Sequence, residues 1–517
     1  MTPKCSRENC RSDHRSVFCR PTTLSNPATP VQQQASTLPP IVARALSEPP
    51  CPQMPWYRGI APAYLTLFIW APFFDELWAG GLSRSGLAWL FGSAVLGSAI
   101  CFGMYFMAAT WGFAARRPLV AVASSTFGAA GSEWLCGLAI SFAAFLWYAI
   151  AVNFAVDTTF LGLRACGLLK PEGLAPLSVG SVELKSPVFL CTSLFWVYIT
   201  RQAIYIKMKL AGVVVGLMKV YSPIAVLLLA ASALWRAPVF WSQSAGSVSG
   251  TLLERAPVVP ASHHGALVIM TGFFAVGALL SVDWGAAVRN RGDIIRAGAP
   301  FVLGAAAFSS IFSLLCVLET ANGLTAGAAP LAAGRIDPAP FSFRWAIFQG
   351  RESFPPGVAA AILILFGLAA LAAAVSSLNK LCDGVSTHWP RITPRGASAI
   401  AGLLALCVMA TGLVDRVAPF FIAIGCFFAP VLGAMAGDLT RGDVQARPFR
   451  AGINASGVLA WGVGCAVAFG LAWLPTITGN HIPWLEQGPI VGFLVSACVF
   501  RLLARSGADA APMAVEK

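Results

Sequence analysis

A stretch near residue 70 combines residue types that seldom share an apolar segment. The run from Phe68 to Gly81 holds a proline, a pair of glycines and two adjacent carboxylates, Asp75 and Glu76. Proline and paired glycines break a helix, and carboxylates are costly in hydrocarbon, so such features mark ion or ligand sites. Neighbouring residues point about 100° apart on a helix, so at most one of the two carboxylates faces a central site. A carboxylate in that position can carry a proton or bind a cation.

A second polar set closes an apolar run near residue 380. Ser376, Ser377 and Asn379 offer hydroxyl and amide oxygens of the kind that bind Na⁺ or a polar ligand, and Lys380 follows them. The alternative is that the two serines only pack between helices, where small hydroxyl residues are common. The Lys380 ammonium can likewise extend to the cytoplasmic surface, with Asp383 as its partner.

A tryptophan lies near the middle of another apolar run, away from the interfacial positions where Trp is usual. Trp147 is followed by the polar residues Asn153 and Asp157. A flat aromatic face inside a membrane protein can stack on a planar ring. The alternative is that Trp147 simply fills core volume.

The sixth apolar run carries two phenylalanines between two glycines. Phe273 and Phe274 lie between Gly272 and Gly277. Glycines in mid-run predict a second interrupted helix, in addition to the one near residue 72. Interrupted helices at corresponding positions of two halves of a chain indicate a transporter binding site.

The elements that carry these residues are predicted from composition. The chain has 517 residues, of which 57% are hydrophobic and 11% charged, and its mean hydropathy is +0.72. Soluble proteins carry roughly 25% charged residues, so this chain is predicted to be an integral membrane protein. Segments of roughly 20 apolar residues span a bilayer. Twelve spans are predicted, at 60–82, 86–108, 133–156, 187–205, 210–235, 265–283, 298–319, 356–378, 396–415, 418–437, 452–474 and 485–506.

Basic residues in the loops predict the orientation. Roughly two thirds of the 35 Lys and Arg residues fall on the side of the amino terminus, which is therefore predicted to be cytoplasmic, as is the carboxyl terminus. This orientation accounts for the net charge of +13 without a nucleic acid. A multi-pass protein of the plasma (inner) membrane is expected, with the lipid bilayer as its surroundings.

The chain is predicted to have three parts. Residues 1–57 are rich in Pro, Ser, Thr and Gln and have no apolar run, which predicts a disordered cytoplasmic tail. Residues 58–440 are predicted to form the transporter core. Residues 441–517 are predicted to add two further transmembrane helices and a short cytoplasmic carboxyl terminus.

Four stretches resemble the nucleobase–cation symporter family, the permeases of cytosine, purines, allantoin and hydantoins. The residues that carry the resemblance are Leu77-Trp78-Ala79-Gly80-Gly81, the segment Ser124 to Ser132, Trp147-Tyr148, and Phe420 to Asp438 with Gly425, Pro430 and Gly433. The likeness extends over roughly residues 57–506. It implies an all-α LeuT-type fold, with two inverted repeats of five helices each and two extra carboxyl-terminal helices, twelve in all.

The resemblance also implies a site. Aromatic side chains on helices three and six of the family enclose a planar heterocycle, and Trp147 and Phe274 match those positions, with Phe273 as the neighbour of Phe274. Asn379 is the candidate on helix eight for reading the ring edge. In Na⁺-coupled members the ion lies between helices one and eight. That arrangement implies a sodium site in this chain at Ala71, Phe74, Ser376 and Ser377.

The predicted function is import of a nucleobase or related planar heterocycle by cation symport, with no cofactor beyond the coupling ion. Lys380 stands near the position of the sodium site, and an ammonium there can replace Na⁺ while Asp75 or Glu76 carries a proton. Proton coupling is therefore the leading hypothesis, and sodium coupling is the alternative. An amino-acid or amine permease of the same fold and a ligand sensor that does not transport are further alternatives. An enzyme is not expected, because none of the five His residues falls within a predicted span.

Overall fold

The computed structural model describes residues 38–47, 53–56, 87–169, 177–179, 182–205, 263–304, 356–415, 417–440, 450, 452–478 and 487–505. The predicted first and fifth spans and most of the seventh lie outside these ranges. Ala71, Phe74, Asp75 and Glu76 therefore fall outside the described residues.

The described residues are almost entirely helical. In chain order the helices are α1 Pro40–Ser47, α2 Leu87–Ala115, α3 Leu119–Ser132, α4 Ala139–Ala165, α5 Pro187–Tyr205, α6 His263–Ala286, α7 Arg291–Gly298, α8 Pro356–His388, α9 Pro394–Ala410, α10 Val417–Leu439, α11 Ala455–Thr478 and α12 Gly488–Arg505. Two π-helices, Glu133–Leu138 and Ala299–Gly304, follow α3 and α7, and a 3₁₀ turn covers Leu413–Asp415. A short antiparallel hairpin, β1 Leu177–Val179 and β2 Val182–Leu184, precedes α5.

Hydropathy explains why these helices form. Within the described part of the chain, six helical runs are long and apolar enough to cross a membrane: Gly92–Ala115, Leu119–Ala165, Leu267–Ala286, Gly357–His388, Pro419–Leu439 and Ala455–Leu474. Backbone groups have no water to bond in hydrocarbon, so an apolar segment satisfies them within its own helix. The all-α membrane fold is confirmed, and the count of twelve spans stays a prediction.

The helices pack in three groups. The α2 group consists of α2, α6 and α7, and the α4 group consists of α4, α5, α8 and α9. Helix α10 packs along α6 and against α11 and α12. All described residues from Leu38 onward belong to one compact unit.

Small residues allow the helices to approach closely. A Cβ added at Gly112 on α2 would lie 1.8 Å from the carbonyl oxygen of Val282 on α6. One added at Gly285 would lie 1.9 Å from the carbonyl oxygen of Ala109, so the two helices touch backbone to backbone at both positions. Membrane helices that lack a strong hydrophobic driving force for association use this kind of contact.

The predicted break in the sixth span is wrong. Helix α6 runs without interruption through Gly272 and Gly277. A Cβ at Gly272 would lie 2.3 Å from the carbonyl oxygen of Phe421 and Gly425 faces the same contact from α10. Gly272 therefore serves close packing against α10 and does not interrupt the helix.

A break occurs instead at Gly128 in α3, which has a φ of 75°. Only glycine adopts this conformation readily, and a Cβ there would lie 2.4 Å from the carbonyl oxygen of Gly452. The backbone groups freed by the break are bonded by the segment before α11. Ala129 and Ala130 donate to the carbonyl oxygens of Arg450 and Gly452.

Two of the segments that carry the family resemblance meet next to this break. Asp438 at the end of α10 is buried, and its carboxylate accepts hydrogen bonds from the hydroxyls of Ser125 (3.0 Å) and Thr126 (2.9 Å). The Asn454 side chain donates to the carbonyl oxygen of Thr126 at 2.7 Å. The polar residues of these segments thus hold α3, α10 and α11 together.

One segment of the predicted disordered tail is helical. Helix α1 buries Val42 completely, and Ile41 lies over Gly137 in the π-helix that precedes α4. Arg44 donates to the Thr387 hydroxyl, and Arg117 donates to the carbonyl oxygen of Leu46. The average composition of residues 1–57 conceals this short apolar face, so the prediction of disorder does not hold for Pro40–Ser47.

Chain positions that the charge pattern places on the cytoplasmic side lie together at one end of the helices. Arg116, after α2, donates to the carbonyl oxygen of Ala286 at the end of α6. The backbone N–H of Leu119 donates to Asp283 at 2.6 Å. The predicted topology is consistent with these contacts, and the side of the membrane stays a prediction.

Replacing Gly112 by alanine is expected to destabilise the protein. Inserting a methyl group where backbone already stands costs about 1–3 kcal/mol, which outweighs the gain of up to about 1 kcal/mol from replacing a helical glycine. Thermal unfolding of the purified protein measures the effect. The control is Gly103→Ala on the same helix, where a Cβ meets nothing within 4 Å and stability is expected to hold or rise. Equal midpoints for the two variants would contradict the packing described.

Replacing Asp438 by alanine is expected to weaken the junction of α3, α10 and α11. The change removes the carboxylate to which both hydroxyls donate. Ser125 can still donate to the carbonyl oxygen of Val122, so the loss falls mainly on Thr126 and costs about 1–3 kcal/mol. Chemical or thermal unfolding of the variant in detergent measures it. Asp383→Ala, which removes an exposed carboxylate from α8, is the matched control and should leave the unfolding midpoint unchanged.

Candidate functional site

Two hydrophobic cores meet along α4. One core joins α2, α3, α6 and α10 with the beginning of α4, and the other joins the rest of α4 with α5, α8 and α9. Trp147 packs against the first core, whereas the next residue, Tyr148, is fully buried in the second. The Tyr148 hydroxyl lies 3.0 Å from that of Thr200 on α5, which fixes α4 within its group.

Three aromatic rings form a cluster at this junction. Trp147 lies 4.7 Å from Phe273 on α6 and 5.2 Å from Phe421 on α10, centroid to centroid. Phe273 and Phe421 are 5.1 Å apart. The cluster thus takes one ring from each of α4, α6 and α10 and places π faces in an apolar setting.

The rings touch one another in this arrangement. Trp147 and Phe273 meet edge to face, at an interplanar angle of 80°. A planar ligand between two parallel faces needs about 7 Å between the rings, twice the optimal carbon–carbon separation. Binding between Trp147 and Phe273 therefore requires one of the rings to rotate and the helices to part.

Of the two phenylalanines predicted to bind the ligand, Phe273 is the one whose ring contacts Trp147. The ring of Phe274 lies over Gly277 of its own helix, 3.3 Å from where a Cβ would be. Sequence reasoning missed Phe421, although it lies at the start of the Phe420–Asp438 segment that carries the family resemblance. The signal available was its position in that segment.

Three of the four polar residues predicted on α8 lie on one side of the helix. Ser376, Asn379 and Lys380 fall within about 100° of the helix circumference, and Ser377 lies to one side. Ser376 is exposed, and Ser377 and Asn379 are half-buried. Ala71 and Phe74, the first-span residues of the predicted sodium site, lie outside the described residues. The complete set of sodium ligands is therefore not described. Among the described residues no group of His, Cys, Asp and Glu is arranged to hold a metal ion.

Lys380 contacts a carboxylate on another helix. Its ammonium lies 3.7 Å from the carboxylate of Asp283 at the end of α6. Asp383, its partner in the alternative interpretation, is on the same helix, whereas Asp283 belongs to the α2 group. The pair therefore joins the α4 group to the α2 group.

A buried Glu–His pair connects α8 to the start of α4. Glu133 is 2% exposed and its carboxylate contacts the imidazole of His388, the last residue of α8. Trp134 meets the same imidazole edge to face at 5.6 Å. Sequence reasoning missed this pair because His388 follows the predicted span and its partner is distant in the chain.

A further polar cluster lies at the far end of α4. Lys185 is buried, donates to the amide oxygen of Asn153 at 3.3 Å, and lies 4.2 Å from the ring centre of Phe189. Asn153 in turn donates to Asp157 at 3.1 Å. Both polar residues of α4 that follow Trp147 thus contribute to holding the loop before α5.

Comparison by sequence yields no relative of this chain. No protein-family model matches it, and no curated protein matches it.

Comparison with solved structures does give matches. The inward-facing conformation of Mhp1 covers 89% of this chain and 94% of its own length, at 14% identity and a TM-score of 0.59. Mhp1 in a closed conformation with bromovinylhydantoin bound, described as a nucleobase-cation-symport-1 family transporter, covers 89% and 96%, at 14% identity and a TM-score of 0.56. MhsT in complex with L-phenylalanine covers 88% and 99%, at 14% identity and a TM-score of 0.52.

Low identity combined with nearly complete coverage indicates a shared fold. The likeness to Mhp1 is what the four resembling stretches implied, and it confirms that resemblance at the level of the fold. This chain has the LeuT-type transporter fold.

Proposed function

We propose that this protein is a secondary active transporter that imports a nucleobase or a related planar heterocycle by symport with a cation. The observation that carries the proposal is the cluster of Trp147, Phe273 and Phe421 at the junction of two cores in a LeuT-type fold. An uncharged heterocycle presents two π faces and a rim of donors and acceptors. Stacking recognises the faces, and amide or hydroxyl groups select the rim.

The roles follow from the placement of the side chains. Trp147 and Phe273 bind the faces of the ring, with Phe274 next to them on α6, and Phe421 closes the third side. Asn379, half-buried on α8 next to Lys380, reads the rim. The protein lies in the plasma (inner) membrane with both termini cytoplasmic. Residues 58–440 carry the transport function, and the two helices after residue 440 support it.

The coupling ion is a proton in this proposal, and sodium is the alternative. Asp283 lies within reach of the Lys380 ammonium, so the charge on α8 is balanced from α6. That leaves Asp75 or Glu76 as the group that binds and releases the proton. The sodium alternative places the ion among Ala71, Phe74, Ser376 and Ser377.

An aromatic amino acid is the second candidate substrate. MhsT, which has the same fold, was solved in complex with L-phenylalanine, and a phenyl ring also stacks on Trp147. The proposal favours a heterocycle because the resembling stretches belong to nucleobase–cation symporters. The two substrate classes are separated by the binding experiment below.

A panel of nucleobases, hydantoins, allantoin and aromatic amino acids, tested by thermal shift on the purified protein, is expected to include a heterocycle that stabilises it. At one hundred times its dissociation constant a ligand adds about 2.7 kcal/mol of stability. Trp147→Ala removes a stacking face and is expected to weaken binding about tenfold, which lowers that gain to about 1.4 kcal/mol.

Phe142→Ala is the matched control, because Phe142 lies on the same helix and is 53% exposed. Its ligand-induced shift is expected to equal that of the wild type. A heterocycle that stabilises the Trp147→Ala variant as strongly as the wild type contradicts the proposed site. Stabilisation by aromatic amino acids alone favours the second candidate.

Uptake of the stabilising compound into proteoliposomes is expected to continue when Na⁺ is replaced by choline at fixed pH. It is expected to stop when the proton gradient is collapsed, because the proposed coupling group is a carboxylate. Initial rates with a radiolabelled substrate measure both effects. Strict dependence on Na⁺ would overturn proton coupling and leave the sodium alternative.

A further inference from the structure

The ion pair between Lys380 and Asp283 is a direct charge contact between the two helix groups. Lys380 lies on α8 of the α4 group, and Asp283 lies at the end of α6 in the α2 group. Within each group, by contrast, the helices are held by close packing, such as Gly384 of α8 against Ser141 of α4. A transporter that exposes its site to alternate sides must separate its two groups at one end while they stay closed at the other.

The second oxygen of Asp283 ties the pair to the loop that connects the groups. It accepts the backbone N–H of Leu119 at 2.6 Å, at the start of α3. Helix α3 leads through the π-helix Glu133–Leu138 into α4 and Trp147. Asp283 therefore contacts Lys380 on α8, from which it must separate when the two groups part. It also contacts the start of α3, the segment that joins the two groups.

A cysteine lies in a segment that packs against α8. Cys136 belongs to the π-helix Glu133–Leu138, which contacts α8, and its side chain is buried. Separation of α8 from α6 would expose the thiol to reagents.

We propose that the Lys380–Asp283 pair closes the cytoplasmic pathway. The pair holds α8 against α6 until the aromatic site opens inward. The proposal rests on the transport function inferred above and adds the residues that regulate access to its site. Lys380 thereby acts as a gating residue, a role distinct from binding the transported compound or replacing sodium. Both side chains are partly exposed, which allows the contact to break and re-form during a transport cycle.

The test uses Cys136 as its reporter and needs no transported compound. The full-length purified protein is reacted with N-ethylmaleimide, and the alkylation rate of each cysteine is followed by peptide-resolved mass spectrometry. Lys380→Gln and Asp283→Asn each remove one charge, and the asparagine keeps an oxygen for Leu119. Each variant is expected to alkylate Cys136 about two- to fivefold faster than the wild type, because a partly exposed ion pair shifts a two-state equilibrium by roughly that factor.

The double variant tests whether the two residues act as one pair. If they do, Lys380→Gln combined with Asp283→Asn alkylates Cys136 no faster than either single variant. Lys380→Arg, which keeps the charge, is expected to restore a rate near that of the wild type. Arg391→Gln removes an exposed charge from the loop after α8 and is expected to change nothing.

Cys101 reports on general loosening in the same sample. It is buried in α2 against the Met270 carbonyl oxygen, and its rate is expected to stay constant in every variant. A direct effect of charge on the thiol would speed alkylation in Asp283→Asn and slow it in Lys380→Gln, so a rise in both variants reports exposure. Unchanged Cys136 rates in both single variants overturn the proposal, as do a rise in Asp283→Asn alone, a double variant that multiplies the single effects, and a parallel rise at Cys101. A failure to transport heterocycles, with Cys136 responding as expected, would remove the proposed substrate and leave the gate in place.

Discussion

A backbone group inside an apolar protein must find its hydrogen-bond partner within that protein, and this requirement shapes the part of the molecule around the break in α3. The helix break at Gly128 frees several peptide groups, and the segment before α11 bonds them. Just before the break, Asp438 accepts from the hydroxyls of Ser125 and Thr126, and Asn454 donates to the carbonyl oxygen of Thr126. The carboxyl-terminal helices are thus part of the structure that positions α3, the helix that leads into α4. A boundary drawn at residue 440 separates segments that depend on one another.

The candidate site depends on α4 because this helix contributes side chains to both hydrophobic cores. This helix contributes Trp147 to one hydrophobic core and Tyr148 to the other, so consecutive side chains belong to different helix groups. The aromatic cluster consequently lies where the groups meet, so in the proposed transporter a motion of one group against the other would change it. A stacking site within a single group would stay intact during such a motion and would give the ligand no control over access.

Much of the fold was predictable, because hydropathy and loop charge each report a property of single segments. Contacts between segments were harder. The glycines of the sixth span predicted a break, but Gly272 serves contact with α10. Phe273 contacts Trp147 because of how α6 is rotated about its own axis. The spacing of apolar residues along the sequence does not specify that rotation. Lys380 had a carboxylate nearby in sequence, Asp383, and yet it contacts Asp283 from a different helix group. Asp438 and its partners Ser125 and Thr126 lie in two of the stretches that carry the family resemblance, but the resemblance did not predict their contact. The tail helix was hidden by the composition of its surroundings.

The π-helix Glu133–Leu138 sets the angle between the two ends of the continuous run from Leu119 to Ala165. A π turn accommodates one extra residue, and each residue in an α-helix adds about 100° of rotation. Removing one residue from this segment would therefore convert the π turn into an α turn and leave Trp147 facing α6 and α10, whereas a deletion between Ala139 and Trp147 would rotate the side chain by about 100°. Among homologous chains, a change of length should thus be tolerated in these six positions and not in the part of α4 that precedes Trp147.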